Sequence, residues 1–214
     1  MERLYLSVLS RKQLNLLRKL KFLKKYGFYL AGGTALALQI GHRTSVDFDF
    51  YTEKKFDSRK LREEFDKRFK KVQEIYIAED TLGLNVDGVG MSFFKYPYKL
   101  IRTCQEINGI NLASKEDIAA MKIISISQRG RRRDFIDIYF LMKEFGLTQI
   151  IQFVKEKYPM FNIYVGLQGL TYFEDADEDP EKGRFKLLKE VKWTEIKKFI
   201  IKEVKKFKLF CLGK

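Results

Sequence analysis

The sequence predicts an α+β domain followed by a helical lobe, on three observations. Short strand and helix signals alternate through the first half of the chain, whereas only helix signals follow residue 112. The change coincides with Ser114-Lys115-Glu116-Asp117, an N-cap residue with an acid three positions on. The expected boundaries are residues 1–112, a mixed sheet flanked by helices and preceded by a basic helix, and residues 113–214, the helical lobe. The junction of two such parts is a common place for a ligand.

Each element follows from its pattern. Leu16, Leu17, Leu20 and Leu23 recur at helical spacing among basic residues, which predicts an amphipathic helix over 11–25. Phe28-Tyr29-Leu30-Ala31 reads as a short apolar strand that stops at Gly32-Gly33. Thr34 opens a helical run that Gly41 ends. Residues 46–51 alternate apolar with acidic side chains and predict a strand. A charged helix is expected from Ser58 to about Lys70, then strands over 72–79 and 82–96, the latter folded at the Asp87-Gly88 turn. Helices are expected over 117–128, 134–145 and 148–157. A last one begins at Thr194 and carries Ile196, Phe199, Ile200, Val204 and Phe207 as its apolar stripe.

Composition sets the class. With 45% hydrophobic and 33% charged residues in 214, the chain reads as an ordinary globular protein able to bury a core. No apolar run approaches the roughly 20 residues of a membrane span, and Met1-Glu2-Arg3 does not open a secretory leader, so a cytoplasmic protein is expected. Cys104 and Cys211 lack metal-type spacing and read as reduced thiols. Forty-two Lys and Arg against 28 Asp and Glu give a formal +14. The excess gathers in residues 11–25 and 192–208, which suits a polyanionic partner or a Lys-rich solvated surface.

Two segments carry the chemistry. Gly32-Gly33-Thr34 sits at a strand-to-helix junction, where glycines admit close approach of a ligand and helix N–H groups favour an anion. Taken alone it is also an ordinary tight turn. Val46-Asp47-Phe48-Asp49-Phe50 places Asp47 and Asp49 on one face of a strand and the apolar residues on the other. Like charges so placed repel, and a divalent cation held with substrate phosphates relieves that repulsion; magnesium prefers such hard oxygens. An exposed strand face with two incidental acids is the plain alternative.

Lys122 is the single charge in an otherwise apolar run, 118–126, so it either extends to solvent or faces an internal anion. Arg129 lies two turns on, on the same side. Asp134 and Asp137 share a helix face, with Arg131, Arg132 and Arg133 close enough to make an ion-pair network as natural a reading as catalysis.

Together these segments resemble the polymerase-β-type nucleotidyltransferase superfamily, in which a Gly-Gly or Gly-Ser before a helix is followed by an Asp-x-Asp strand. Leu30 to Leu36 and Ser45 to Phe50 carry the match. The chain is more similar still to the AbiEii nucleotidyltransferase toxin family. Lys122, Arg129, Arg131 to Asp137 and the segment Leu170-Thr171-Tyr172-Phe173-Glu174-Asp175-Ala176 extend that likeness. The resemblance implies a Mg²⁺-dependent enzyme that moves an NMP from an NTP to an acceptor, releasing pyrophosphate. It further implies a toxin with a separately encoded antitoxin and an RNA acceptor of the tRNA kind. Asp47 and Asp49 would be metal ligands, and Gly32, Gly33, Thr34, Lys122 and Arg129 would contact the nucleotide. Asp134 or Asp137 would act on the nucleophile or orient Lys122. A protein or small-molecule acceptor, or a non-catalytic nucleotide- or RNA-binding module, is the alternative reading.

Many members of the superfamily carry a third carboxylate on a later strand; here that strand reads Gly90-Met91-Ser92-Phe93-Phe94, without an acid. His42 reads as a surface loop residue. The acidic run from Glu174 to Glu181 reads as a solvated loop or a partner for the basic helices.

Overall fold

The computed structural model describes residues 4–212; Met1-Glu2-Arg3, on which the expectation of no leader rests, lies outside them. The chain divides into two compact units, Met1–Lys99 with Thr103–Ser114, and Leu100–Arg102 with Lys115–Lys214.

The first unit opens with α1 (Arg11–Leu17), started by a reciprocal capping box between Ser10 and Gln13. The helix expected to reach residue 25 stops at Leu17, and a 3-10 segment, Leu20–Tyr26, takes over. Leu17, Leu20 and Leu23, all buried, are spaced by three, and residues three apart align in a 3-10 turn. Gly27, at φ 72°, ends the segment and turns the chain into β1 (Tyr29–Ala31).

α2 (Gly32–Ile40) includes both glycines in its first turn, two residues earlier than the sequence suggests, and stops at Gly41 with φ 62°. It is buried from Thr34 to Gln39, and Gln39 donates to the Ala113 carbonyl at 3.0 Å. β2 (Phe48–Thr52) alternates as predicted, with Phe48, Phe50 and Thr52 buried. α3 (Ser58–Asp66) is capped by Asp57, whose carboxylate accepts from the Arg59 and Lys60 N–H groups. Its Phe65 packs on Phe22, Phe69 and Phe93.

Next come β3 (Val72–Ala78), β4 (Thr81–Val86) and β5 (Val89–Lys95), the last two joined at Asp87-Gly88, both with positive φ. β6 (Gln105–Ile107) and β7 (Ile110–Leu112) form a second hairpin that the sequence reading missed. Its Asn108-Gly109 turn, again with positive φ at both residues, was the available signal. The described residues form one seven-stranded mixed sheet ordered β3-β4-β5-β2-β1-β7-β6. β2 is therefore central, antiparallel to β1 and parallel to β5.

The second unit is helical: α4 (Lys115–Gln128), α5 (Arg132–Phe145), α6 (Leu147–Lys157), α7 (Ile163–Gly169), α8 (Glu174–Asp177) and α9 (Trp193–Leu212). The short α7 and α8 were not expected. Asp117 and Lys157 form a fully buried ion pair at 2.7 Å. Asp117 also accepts from the N–H groups of Ile101 and Arg102, which ties residues 100–102 to this unit. Among the described residues, no helix is long and apolar enough to cross a membrane.

Candidate active site

Antiparallel pairing of β1 with β2 sets Ala31 opposite Asp49, so the glycine bend that follows Ala31 lies against that carboxylate. Gly32, at φ +65°, stands so close that a Cβ there would be 3.1 Å from Asp49 Oδ2. On the other flank, β2 pairs in parallel with β5, Asp49 opposite Ser92 and Phe48 opposite Met91. Asp47 lies just before β2, and its Oδ1 fills the space beside Gly90, where a Cβ would come within 2.5 Å. Gly90 and Ser92 are two apart on β5, so both carboxylates stand on one sheet face. Both are half-buried, while Phe48 and Phe50 turn into the core on the opposite face.

Two residues of this loop, Thr34 and His42, differ from what the sequence leads one to expect. Thr34 was expected to offer its hydroxyl to a phosphate. It is 1% exposed, donates to the Asp47 carbonyl and lies 2.7 Å from the Ser45 hydroxyl. Its side chain therefore fixes the approach to β2, because a hydroxyl's single proton is already committed. His42, read as a surface residue, is fully buried.

Sequence reasoning missed Arg43 altogether. This side chain is 1% exposed, donates from Nη1 to the Thr44 carbonyl at 3.0 Å, and fills the space that a Cβ on Gly33 would take. The guanidinium thus underlies the first turn of α2, where unpaired N–H groups already favour an anion. An arginine after Gly-His carries no sequence signal of burial. Gly90 did carry one: a glycine inside a strand often marks a close approach.

In the second unit Lys122 neither reaches solvent nor stands alone. Its Nζ lies 2.6 Å from Asp134 Oδ1 and 2.6 Å from Asp137 Oδ2, with all three side chains at most 7% exposed. Two carboxylates against one ammonium leave the cluster with a formal excess of negative charge. Asp134 Oδ2 is buried and finds no hydrogen-bond partner among the described residues. Arg129, just past the end of α4, is exposed.

The acidic run partners basic residues. Asp179 accepts from the Arg132 N–H at the start of α5, and Glu181 pairs with Arg131, Arg133 and Arg184. Burial alone would raise the Glu181 carboxyl, but the Arg184 hydrogen bond and the charges of Arg133 and Arg131 outweigh it and hold the group low. The Trp193 indole N–H and Lys197 hold Asp177 below its usual range. A groove of about 410 Å³ beside them is lined by Arg132, Lys182, Lys186, Trp193 and apolar neighbours.

A mixed sheet with one carboxylate on its central strand, a second just before that strand and a glycine-opened helix beside them fits a nucleotidyltransferase. The chain matches the family model described as "Nucleotidyl transferase AbiEii toxin, Type IV TA system" over residues 15–99 and 91–208, and it belongs to that family. An uncharacterized protein of Aquifex aeolicus (strain VF5), aq_aa25, is 41% identical over 186 residues, 84% of this chain and 87% of that one. Among solved structures the fold is similar to JHP933 from Helicobacter pylori, with TM-score 0.57, 18% identity, and coverage of 96% of this chain and 100% of that one. It is also similar to MenT4, nucleotidyltransferase toxin Rv2826c from Mycobacterium tuberculosis H37Rv, with TM-score 0.55, 14% identity and coverage of 90% and 81%.

A divalent metal is general in this family, and the donor set suits one. Among the described residues no group of three or more His, Cys, Asp or Glu is placed to hold an ion, so a metal here would rest on two carboxylates and on substrate oxygens. Magnesium is commonly bound that way beside phosphates. The missing Cβ atoms at Gly32 and Gly90 leave room for the two carboxylates.

Proposed function

We propose that this toxin transfers an NMP from an NTP to an RNA acceptor of the tRNA type, in the cytoplasm, with Mg²⁺ as its cofactor and under restraint by a cognate antitoxin. The observation that carries the reading is Gly32 lying against the Asp49 carboxylate, because one triphosphate can then touch both the helix N-terminus and the acids. Gly32 and Gly33 take the β- and γ-phosphates on the N–H groups of α2, with Thr34 and Arg43 holding the loop in shape. Asp47 and Asp49 hold the Mg²⁺, which when bound stabilises charge on the α-phosphate and on the leaving pyrophosphate.

The acceptor oxygen bonds to the α-phosphorus as the bond from that phosphorus to the bridging oxygen breaks, and pyrophosphate leaves with the electron pair. A base takes up the acceptor's proton, a role for which the family likeness favours Asp134 or Asp137, with Lys122, 2.6 Å from both, as the group that orients them. Arg129 contributes to neutralising the nucleotide phosphates. The formal +14 and the basic groove favour RNA over a neutral acceptor.

Incubation with α-labelled NTPs, Mg²⁺ and total RNA or lysate tests the reading. Label in RNA is expected, and it should disappear in Asp49→Asn together with growth arrest on expression. Label in protein would overturn the RNA acceptor, and NTP binding without any transfer would overturn the enzyme reading.

A further inference from the structure

The strand registers align one row of residues across the sheet from the glycine bend to its far edge. Ala31 pairs with Asp49, Asp49 with Ser92, Ser92 with Gly83, and Gly83 with Tyr76. In-register neighbours point to the same face. The Tyr76 ring lies over Gly83, where any Cβ would overlap it, and its hydroxyl donates to Ser92 Oγ at 3.1 Å. Gly83 is consequently buried, whereas Tyr76 stays 41% exposed. An aromatic ring on the edge strand is thereby directed inward, toward the acid pair, and its hydroxyl ends beside the partner of Asp49.

We propose that Ser92 and Tyr76 form the acceptor subsite, with the Tyr76 ring as a platform for the terminal base of the RNA and Ser92 as a hydrogen-bonding group for its sugar. The inference rests on the nucleotidyl-transfer reading above and deepens it. In-line displacement requires the entering oxygen to approach the α-phosphorus opposite the leaving pyrophosphate. The pyrophosphate end lies toward Gly32 and Gly33. Continuing along the row from those glycines, past Asp49, leads first to Ser92 and then, at a strand spacing of about 4.8 Å each, to Gly83 and Tyr76. Every base has a π-face, so an exposed ring there favours a nucleotide acceptor without reading its sequence. The Ser92 hydroxyl can both donate and accept, as a ribose hydroxyl requires. Neither residue stands against the glycines, so neither is placed to bind the triphosphate.

Steady-state transfer from an α-labelled NTP to a short RNA with a free terminal hydroxyl tests this on the full chain. Tyr76→Ala should raise the KM for RNA roughly 10-fold, the usual scale of one base–aromatic stack, with the KM for NTP within about 2-fold. Tyr76→Phe keeps the ring and should leave the RNA KM near that of the wild type. It also controls for folding, since only the hydroxyl is lost. Ser92→Ala should lower transfer to RNA without changing NTP affinity. An unchanged RNA KM in Tyr76→Ala, or a raised NTP KM in its place, overturns the subsite while leaving the transferase reading intact. A wild-type protein that labels no acceptor overturns that earlier reading, and one that labels only protein overturns the RNA platform.

Discussion

Ala31 and Asp49 are direct partners across the antiparallel β1–β2 pair, and this register alone brings the Gly32 bend against the Asp49 carboxylate. Gly32 also holds φ +65°, a region that costs a residue with a Cβ roughly 1–2 kcal/mol. Gly32→Ala is therefore expected to lower thermal stability modestly and to reduce transfer by much more than that loss explains. Comparing the melting temperature with the transfer rate at a temperature where both proteins are folded checks it.

Gly90→Ala addresses the other acid. A Cβ there would come within 2.5 Å of Asp47 Oδ1, so the carboxylate has to move. Displacing a carboxylate proposed to hold the metal should weaken Mg²⁺ or Mn²⁺ affinity and cost about 100-fold in rate, the scale of a 1 Å misplacement. Titration calorimetry with Mn²⁺ in the presence of a non-hydrolysable NTP measures the first effect separately from the second.

Lys122→Met removes the ammonium between Asp134 and Asp137 and leaves two carboxylates buried without it. Breaking a buried pair in this way costs about 3–5 kcal/mol. Arg129→Ala removes an exposed side chain and should stay within about 0.5 kcal/mol of the wild type in stability, while weakening NTP binding. Urea denaturation of the two variants tells the structural role from the ligand-binding one.

The Asp177 carboxyl is held below its usual 3.8 by the Trp193 indole hydrogen bond and then by Lys197. A group with a depressed folded pKa contributes stability above its unfolded value, and that contribution is lost as pH falls through the folded value. The melting temperatures of the wild type and Asp177→Asn should therefore differ most at neutral pH, well above the unfolded carboxylate value, and converge as the pH falls below that value and through the lower folded one. A gap that widens on acidification would contradict the assignment.

Trp193 is the single tryptophan of the chain and lines the basic groove with Arg132, Lys182 and Lys186. Single-stranded RNA is expected to change its fluorescence, with an apparent affinity that falls steeply as salt rises. Lys182→Glu with Lys186→Glu should flatten that salt dependence, because fewer phosphate contacts release fewer counterions.

Much of the architecture was legible because its signals are local. The Asp87-Gly88 hairpin, the Asp-x-Asp strand, the glycine stop at Gly41 and the principal long helices of the second unit all follow from turn chemistry or periodicity within a few residues. The three-residue strands β6 and β7 and the short helices α7 and α8 escaped, since so few residues cannot display a period. Leu17, Leu20 and Leu23 fit the single helix expected over 11–25, but in the fold the tighter 3-10 period takes over from Leu20 to Tyr26.

What the sequence determined unaided was the inventory: two acids two residues apart in a strand pattern, two glycines before a helix, and a lysine among apolar residues. Tertiary structure decided their company. Strand register, a long-range property of hydrogen bonding, set Asp49 between Gly32 and Ser92, carried Tyr76 back across Gly83, and put Arg43 beneath Gly33. Helix packing, for its part, clasped Lys122 between Asp134 and Asp137. Such partners lie 10 or more residues apart in most cases, and nothing in a local pattern states which distant groups burial will bring into contact.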